Sequence, residues 1–107
     1  MIVVTTPDIH GKTIREVRGL ARGSTVRSVH VGMDTVAFMR NLVGGEVDEY
    51  TKMLAEAREE ALDRMIAHAH ALGADAIVGM HFVTACVASG AAEIMAYGTA
   101  VTLNSEQ

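Results

Sequence analysis

Apolar residues recur at steps of three and four through the middle of this chain. From Glu46 to Leu72, EVDEYTKMLAEAREEALDRMIAHAHAL, the residues Val47, Tyr50, Leu54, Ala57, Ala61, Met65, Ile66, Ala69 and Leu72 form one stripe. That spacing predicts a long amphipathic helix. Acidic Glu46, Asp48 and Glu49 fall in its first turn, where the helix dipole favours negative charge. Glu60 and Arg64 stand in the favourable i,i+4 order, and Gly73 is placed to terminate the helix. A shorter helix is predicted over Thr35 to Leu42, with Asp34 as N-cap and Gly44-Gly45 separating it from the long one.

The flanks read as strands. IVVTT (2–6) is short and β-branched, and TIREVRGLARGSTVRSVHV (13–31) mixes charged and apolar residues, with a kink expected at Arg22-Gly23-Ser24. ADAIVGMHFVTACVAS (74–89) and AAEIMAYGTAVTL (91–103) flank Ser89-Gly90, a hairpin-turn pair. The predicted order is β-β-α-α-β-β: an α+β fold with an antiparallel sheet and one long helix in two layers. Such a helix and a twelve-residue strand both span about 40 Å, so the helix can lie along the sheet.

The last two strands are apolar on both faces. Strict alternation sends Ala76, Val78, Met80, Phe82 and Cys86 one way, onto the helix, and Ile77, Val83, Ala85 and Val87 the other. In the final strand Met95, Tyr97, Val101 and Leu103 oppose Ile94, Ala96 and Ala100. A half-solvated antiparallel sheet would instead alternate polar and apolar. One helix covers one face, and a second copy of the chain is the simplest cover for the other.

Composition narrows the partners. At 107 residues the chain has the length of one domain. Its net charge is −4, its pI is near 5.6 and its aromatic content is 4%. Nucleic-acid binding calls for a basic footprint and stacking aromatics, so nucleic acid is not the expected partner. The apolar runs are too short to cross a bilayer, and the amino terminus lacks a basic stretch followed by a long apolar one. A single cysteine, Cys86, fits a reducing compartment. The expectation is a cytoplasmic protein that associates with itself.

His81 and Cys86 are close in sequence, which suggests a soft-metal or redox pair. On a regular strand their opposite parity puts them on opposite faces, so a shared ion needs a bulge or a symmetric neighbour. Otherwise Cys86 is a small buried hydrophobe and His81 faces an interface or a channel. His68 and His70 in AHAH are about 200° apart on a helix and do not hold one ion together. TPDIHGKT (6–13) ends like a phosphate loop, but Thr6 stands where glycine is required, and a β-branched segment follows.

Arg15, Arg18, Arg22 and Arg27 concentrate charge in the second strand. With the amides of Gly23, Ser24 and Thr25 they could hold a carboxylate or phosphate. Alternatively they form intersubunit salt bridges to Glu46, Glu49 or Glu93, or a solvated strand edge. Glu93 and Tyr97 share one strand face and could line a polar site. The chain has no nucleophile elbow and no dinucleotide glycine pattern, so its residues point away from an enzyme.

Four stretches, GLARGSTVRSVHVG (19–32), NLVGGEVDEYTKMLAEAREEALDRM (41–65), LGADAIVGMHF (72–82) and GAAEIMAYGTAV (90–101), together resemble the YbjQ-like domain family, whose label is heavy-metal binding. The likeness runs in order through nearly the whole chain. It implies a β-α-β-β core, a dodecin-subunit-like fold and assembly into a ring of five subunits. It carries over no ligand set residue by residue. Its motif positions Arg22, Gly23, Ser24, Thr25, Arg27, Gly44, Gly45, Glu46, Glu93 and Tyr97 are candidates for assembly or for a shared ligand site. The donors to test for a divalent or soft heavy-metal ion are His81, Cys86 and His30. A small anion at the Arg22–Arg27 segment or a subunit interface is the alternative.

Overall fold

A computed structural model describes residues 1–28, 47–88 and 91–105. It contains β1 (Ile2–Val3), β2 (Lys12–Ser28), α1 (Val47–Ala71), β3 (Ala76–Ala88) and β4 (Ala91–Ser105). The short helix expected over Thr35 to Leu42, its Asp34 cap, Gly44-Gly45 and the Ser89-Gly90 turn lie outside the described residues. So do His30 and Glu46.

The strands form one sheet in the order β1-β3-β4-β2. Both β2 and β3 pair antiparallel with β4, whereas β1 runs parallel to β3. The sheet is therefore mixed, not purely antiparallel as expected. The chain crosses from β1 at one edge to β2 at the other, so no hairpin dictates the direction of β1. β1 is also shorter than the predicted 2–6. Val4 still donates its N–H to Ile77 O at 2.9 Å, and Gly79 N–H reaches Thr6 O at 2.9 Å. Beyond that point the chain leaves the sheet. β2 runs unbroken through Arg22-Gly23-Ser24, where a kink was expected; its irregularities lie at Ile14/Glu16 and Val17/Gly19.

The helix meets the sheet through small side chains. Ala57, Ala61, Met65 and Ala69 are fully buried against Ala21, Ile77, Ile94, Ala96 and Ala100. Burying a side chain the size of Met65 or Ile77 stabilises by about 2 kcal/mol. The alanine face lets α1 approach β2 so closely that a Cβ on Gly23 would strike Met65 N, Ala61 O and Arg64 Cβ. α1 ends as Gly73 predicts. Gly73 adopts φ 76°, its N–H donates to His70 O at 3.0 Å, and Ala74 N–H donates to Ala69 O at 3.0 Å. That is a Schellman termination.

One glycine re-aims β3. Gly79 has φ 62°, and the β3–β4 register shifts between Val78 and His81. One extra residue in a strand reverses the facing of everything after it. Ala76 and Val78 therefore lie on the face away from α1, packed with Val101, Val4, Ile9, Ile14 and Leu103, while Ile77 and Met80 join the core under the helix. The expectation that Ala76, Val78 and Met80 share a face is corrected by this bulge. Phe82 and Cys86 do follow Met80 to the helix side, but both are exposed. α1 lies over β2 and β4 and hardly reaches β3, so nothing among the described residues covers them.

The second face is half covered. The segment from Val4 to Ile14 shields Ala76, Val78 and Val101, a cover that sequence reasoning assigned wholly to a second copy. Further along that face Leu20, Val26 and Val83 stay 56%, 58% and 42% exposed. The molecule is long, 58 × 22 × 15 Å, with a radius of gyration of 17.5 Å; a compact chain of this length would have about 13 Å.

Candidate functional site

The predicted site residues divide between the two faces of the sheet. Cross-strand partners share a face, and Arg22 pairs with Tyr97, which pairs with His81. This row crosses three strands on the face away from α1. Ser24 and Glu93 lie on the same face, opposite Met95 and Val26 respectively. Thr25 and Arg27 pair with Ile94 and Ala92 and so lie on the helix side. The proposed Arg22–Arg27 anion segment therefore does not converge on one point.

On the helix side, Glu60 gathers the polar groups. Its Oε1 accepts from the Thr25 hydroxyl at 3.1 Å and from Arg64 Nη2 at 2.6 Å, and its Oε2 accepts from Arg27 Nη2 at 2.5 Å. The Thr25 hydrogen bond, followed by the charges of Arg64 and Arg27, holds the Glu60 carboxyl below its ordinary value, against the opposing effect of burial. The Glu60–Arg64 pair was readable from its i,i+4 spacing. The links to Thr25 and Arg27 join positions more than thirty residues apart in sequence and had no local signal.

Helix side chains also reach over the outer edge of β2. Arg22 N–H donates to His68 Nδ1 at 3.1 Å, and Ser24 O accepts from Arg64 Nη1 at 2.6 Å. At the far end Arg18 Nε donates to Leu72 O at 2.8 Å, tying β2 to the end of α1. His68, expected to be a solvated flank residue, is thus an acceptor and carries its proton on Nε2.

His81 has the opposite tautomer. Its Nδ1 lies 2.9 Å from Gly79 O, which only accepts, so Nδ1 carries the proton. The ring stacks on Tyr97, with centroids 6.0 Å apart and an interplanar angle of 26°. In the neutral ring Nε2 is then the unprotonated nitrogen, on an exposed side chain and with no hydrogen bond among the described residues. A backbone carbonyl holding one imidazole nitrogen so that the other can ligate is a recurrent arrangement around metals.

Cys86 does not join it. The register runs without a break from His81 to Cys86, so these two side chains face opposite ways. Among the described residues no group of three His, Cys, Asp or Glu side chains is placed to hold an ion. The described donor set of one chain therefore does not fit a closed heavy-metal site. After Gly11 the TPDIHGKT stretch continues into β2, so a strand stands where a phosphate loop requires a helix. Among the described residues no helix is long and apolar enough to cross a membrane.

Comparison with known proteins places the chain. The family model described as "Putative heavy-metal-binding" matches residues 1–104. A UPF0145 protein of Pyrococcus furiosus is 57% identical over 107 residues, covering 100% of this chain and 94% of its own length. UPF0145 proteins of Methanosarcina acetivorans and Clostridium perfringens are 52% and 54% identical, covering 96% and 94% of this chain and 97% and 95% of themselves. A crystal structure of a DUF74-family protein of unknown function from Pediococcus pentosaceus superposes with a TM-score of 0.69 at 18% identity, over 97% of this chain and 98% of that one. That last likeness concerns the fold. On the family match and these identities, the chain belongs to the YbjQ-like UPF0145 family.

Proposed function

We propose that this protein is a homo-oligomeric binding module of the cytoplasm rather than an enzyme, assembled as the ring of five subunits that the family resemblance implies. The observation that carries the reading is the uncovered half of the second sheet face, where Leu20, Val26 and Val83 are exposed beside half-buried Met95 and Tyr97. Apolar side chains at this density on an otherwise acidic small protein mark an association surface. Light scattering coupled to size exclusion tests it. A mass several times 11.4 kDa is expected; a monomer across the micromolar range removes the reading.

A second reading concerns the ligand, and the free Nε2 of His81 favours it. A divalent or soft heavy-metal ion is held between subunits, with His81 supplying one donor and a neighbouring copy the others. Cys86 of the same chain faces away from His81 and enters only through such a neighbour, and His30 is the further donor to vary. Titration of untagged protein with Zn²⁺, Cu⁺ and Ni²⁺ should give binding that His81→Ala weakens. Binding indifferent to His81→Ala, Cys86→Ser and His30→Ala rejects these donors.

A further inference from the structure

The sheet has two outer edges, and they are treated differently. The edge formed by β2 is engaged by the helix: His68 takes the Arg22 N–H and Arg64 takes the Ser24 carbonyl. On the opposite side β1 pairs only with Ala76 and Ile77. Its continuation serves Gly79 and Met80, whose N–H groups donate to Thr6 O at 2.9 Å and Val4 O at 3.1 Å. From His81 onward, no described strand pairs with the outer side of β3. Met80 N–H points outward, so regular alternation turns the backbone groups of Phe82, Thr84 and Cys86 outward as well.

Among the described residues this edge carries neither charge nor proline, and its irregularities, at Val78/His81 and Cys86/Ala88, only flank it. Strand edges are normally blunted by charge, proline or an inward-pointing ion, yet no charged residue and no proline occurs between Ala76 and Ala92. Residues 81–87 are all exposed, and Phe82, Val83 and Val87 are 41%, 42% and 52% accessible. The neutral edge offers nothing to a charged partner. It does match itself. In an antiparallel pairing centred on Thr84, Phe82 meets the partner's Cys86 and Val83 meets the partner's Ala85. On each face a large side chain then lies across from a small one. The same register makes the outward residues Phe82, Thr84 and Cys86 the hydrogen-bonded pairs.

We infer that the outer edge of β3, residues 81–87, is a two-fold seam on which a second copy of this chain adds its own β3 antiparallel, Thr84 against Thr84. The inference rests on the self-association reading and adds the seam and its symmetry. A two-fold seam joins copies in pairs, so a five-membered ring that uses it occurs as two rings facing each other.

Two variants test it. Thr84→Cys in a Cys86→Ser background should form copy-to-copy disulfides on mild oxidation, because directly paired residues lie within disulfide reach. Ala67→Cys in the same background, exposed on α1, is the control and should not. Thr84→Pro removes an outward N–H and leaves the β3–β4 ladder intact. It should keep the far-ultraviolet spectrum while raising the apparent dissociation constant roughly tenfold or more. An even-numbered assembly with both results supports the seam. An assembly that neither cross-links in the Thr84→Cys variant nor responds to Thr84→Pro overturns the seam and leaves self-association standing. A monomeric protein overturns both.

Discussion

Gly23 lies directly beneath Met65: a Cβ on the glycine would strike the Met65 amide nitrogen, with Ala61 O only 2.5 Å away. The atoms in the way are helix backbone, which cannot rotate aside. Gly23→Ala should therefore lift α1 from β2 and cost about 3 kcal/mol, the upper part of the usual overpacking range. Urea unfolding reads this directly, as a fall in midpoint at constant slope. An unchanged midpoint would mean that the helix sits farther from the strand than described.

Glu60 makes stability depend on acid. Its carboxyl is held below the ordinary value by the Thr25 hydroxyl, Arg64 and Arg27. A depressed folded value contributes stability that is fully present above the unfolded carboxylate value of about 4.3 and is lost as pH falls through the folded one. Melting temperatures of the wild type and Glu60→Gln should differ at neutral pH and converge below that range. Parallel curves down to the acid limit would contradict the hydrogen bonding described.

His68 closes part of the β2 edge by accepting the Arg22 amide. His68→Ala should cost about 1 kcal/mol, the usual value for one such bond. The more specific readout is hydrogen exchange. The Arg22 amide should exchange faster in the variant, while the Gly23 amide, which alternation turns toward β4, keeps its protection. Uniform acceleration along β2 would point to global destabilisation instead.

On the uncovered face, Val83→Lys places a charge where the side chain is 42% accessible. Because the residue is outside the core, the fold should tolerate it within about 0.5 kcal/mol. Association should weaken markedly, and sedimentation velocity would show a shift toward the monomer. A variant that assembles like the wild type would exclude this face from the interface.

What could be read from the residues follows the range of the forces involved. α1 was legible to within a residue because its stripe, first-turn acids and terminating Gly73 are local signals. The two-faced apolar character of β3 and β4 was legible too. The parallel placement of β1 was not, since it depends on a crossover that leaves no trace in a two-residue strand. Strict alternation also failed after Val78, because a glycine inside a strand pattern signals a bulge only once its partner strand is known. The Arg22–Arg27 segment read as one cluster because a kink was expected at Arg22-Gly23-Ser24; β2 runs regularly there, so the pleat sends Arg22 and Arg27 to opposite sides. The opposition of His81 and Cys86 was the exception: parity alone predicted it, and no further irregularity intervenes between them.

The bulge at Gly79 works as a one-residue frame shift in the spatial reading of everything downstream. With it, His81 emerges beside Tyr97 and Phe82 emerges on the helix side. Deleting Gly79 would remove the extra residue and set Met80 opposite Gly98 in a regular ladder, with His81 still beside Tyr97 and Phe82 still on the helix side. The loss of the bulge residue therefore keeps the chemistry of both sheet surfaces, whereas the loss of a residue from the regular ladder between His81 and Cys86 would exchange the faces of the residues on one side of the gap.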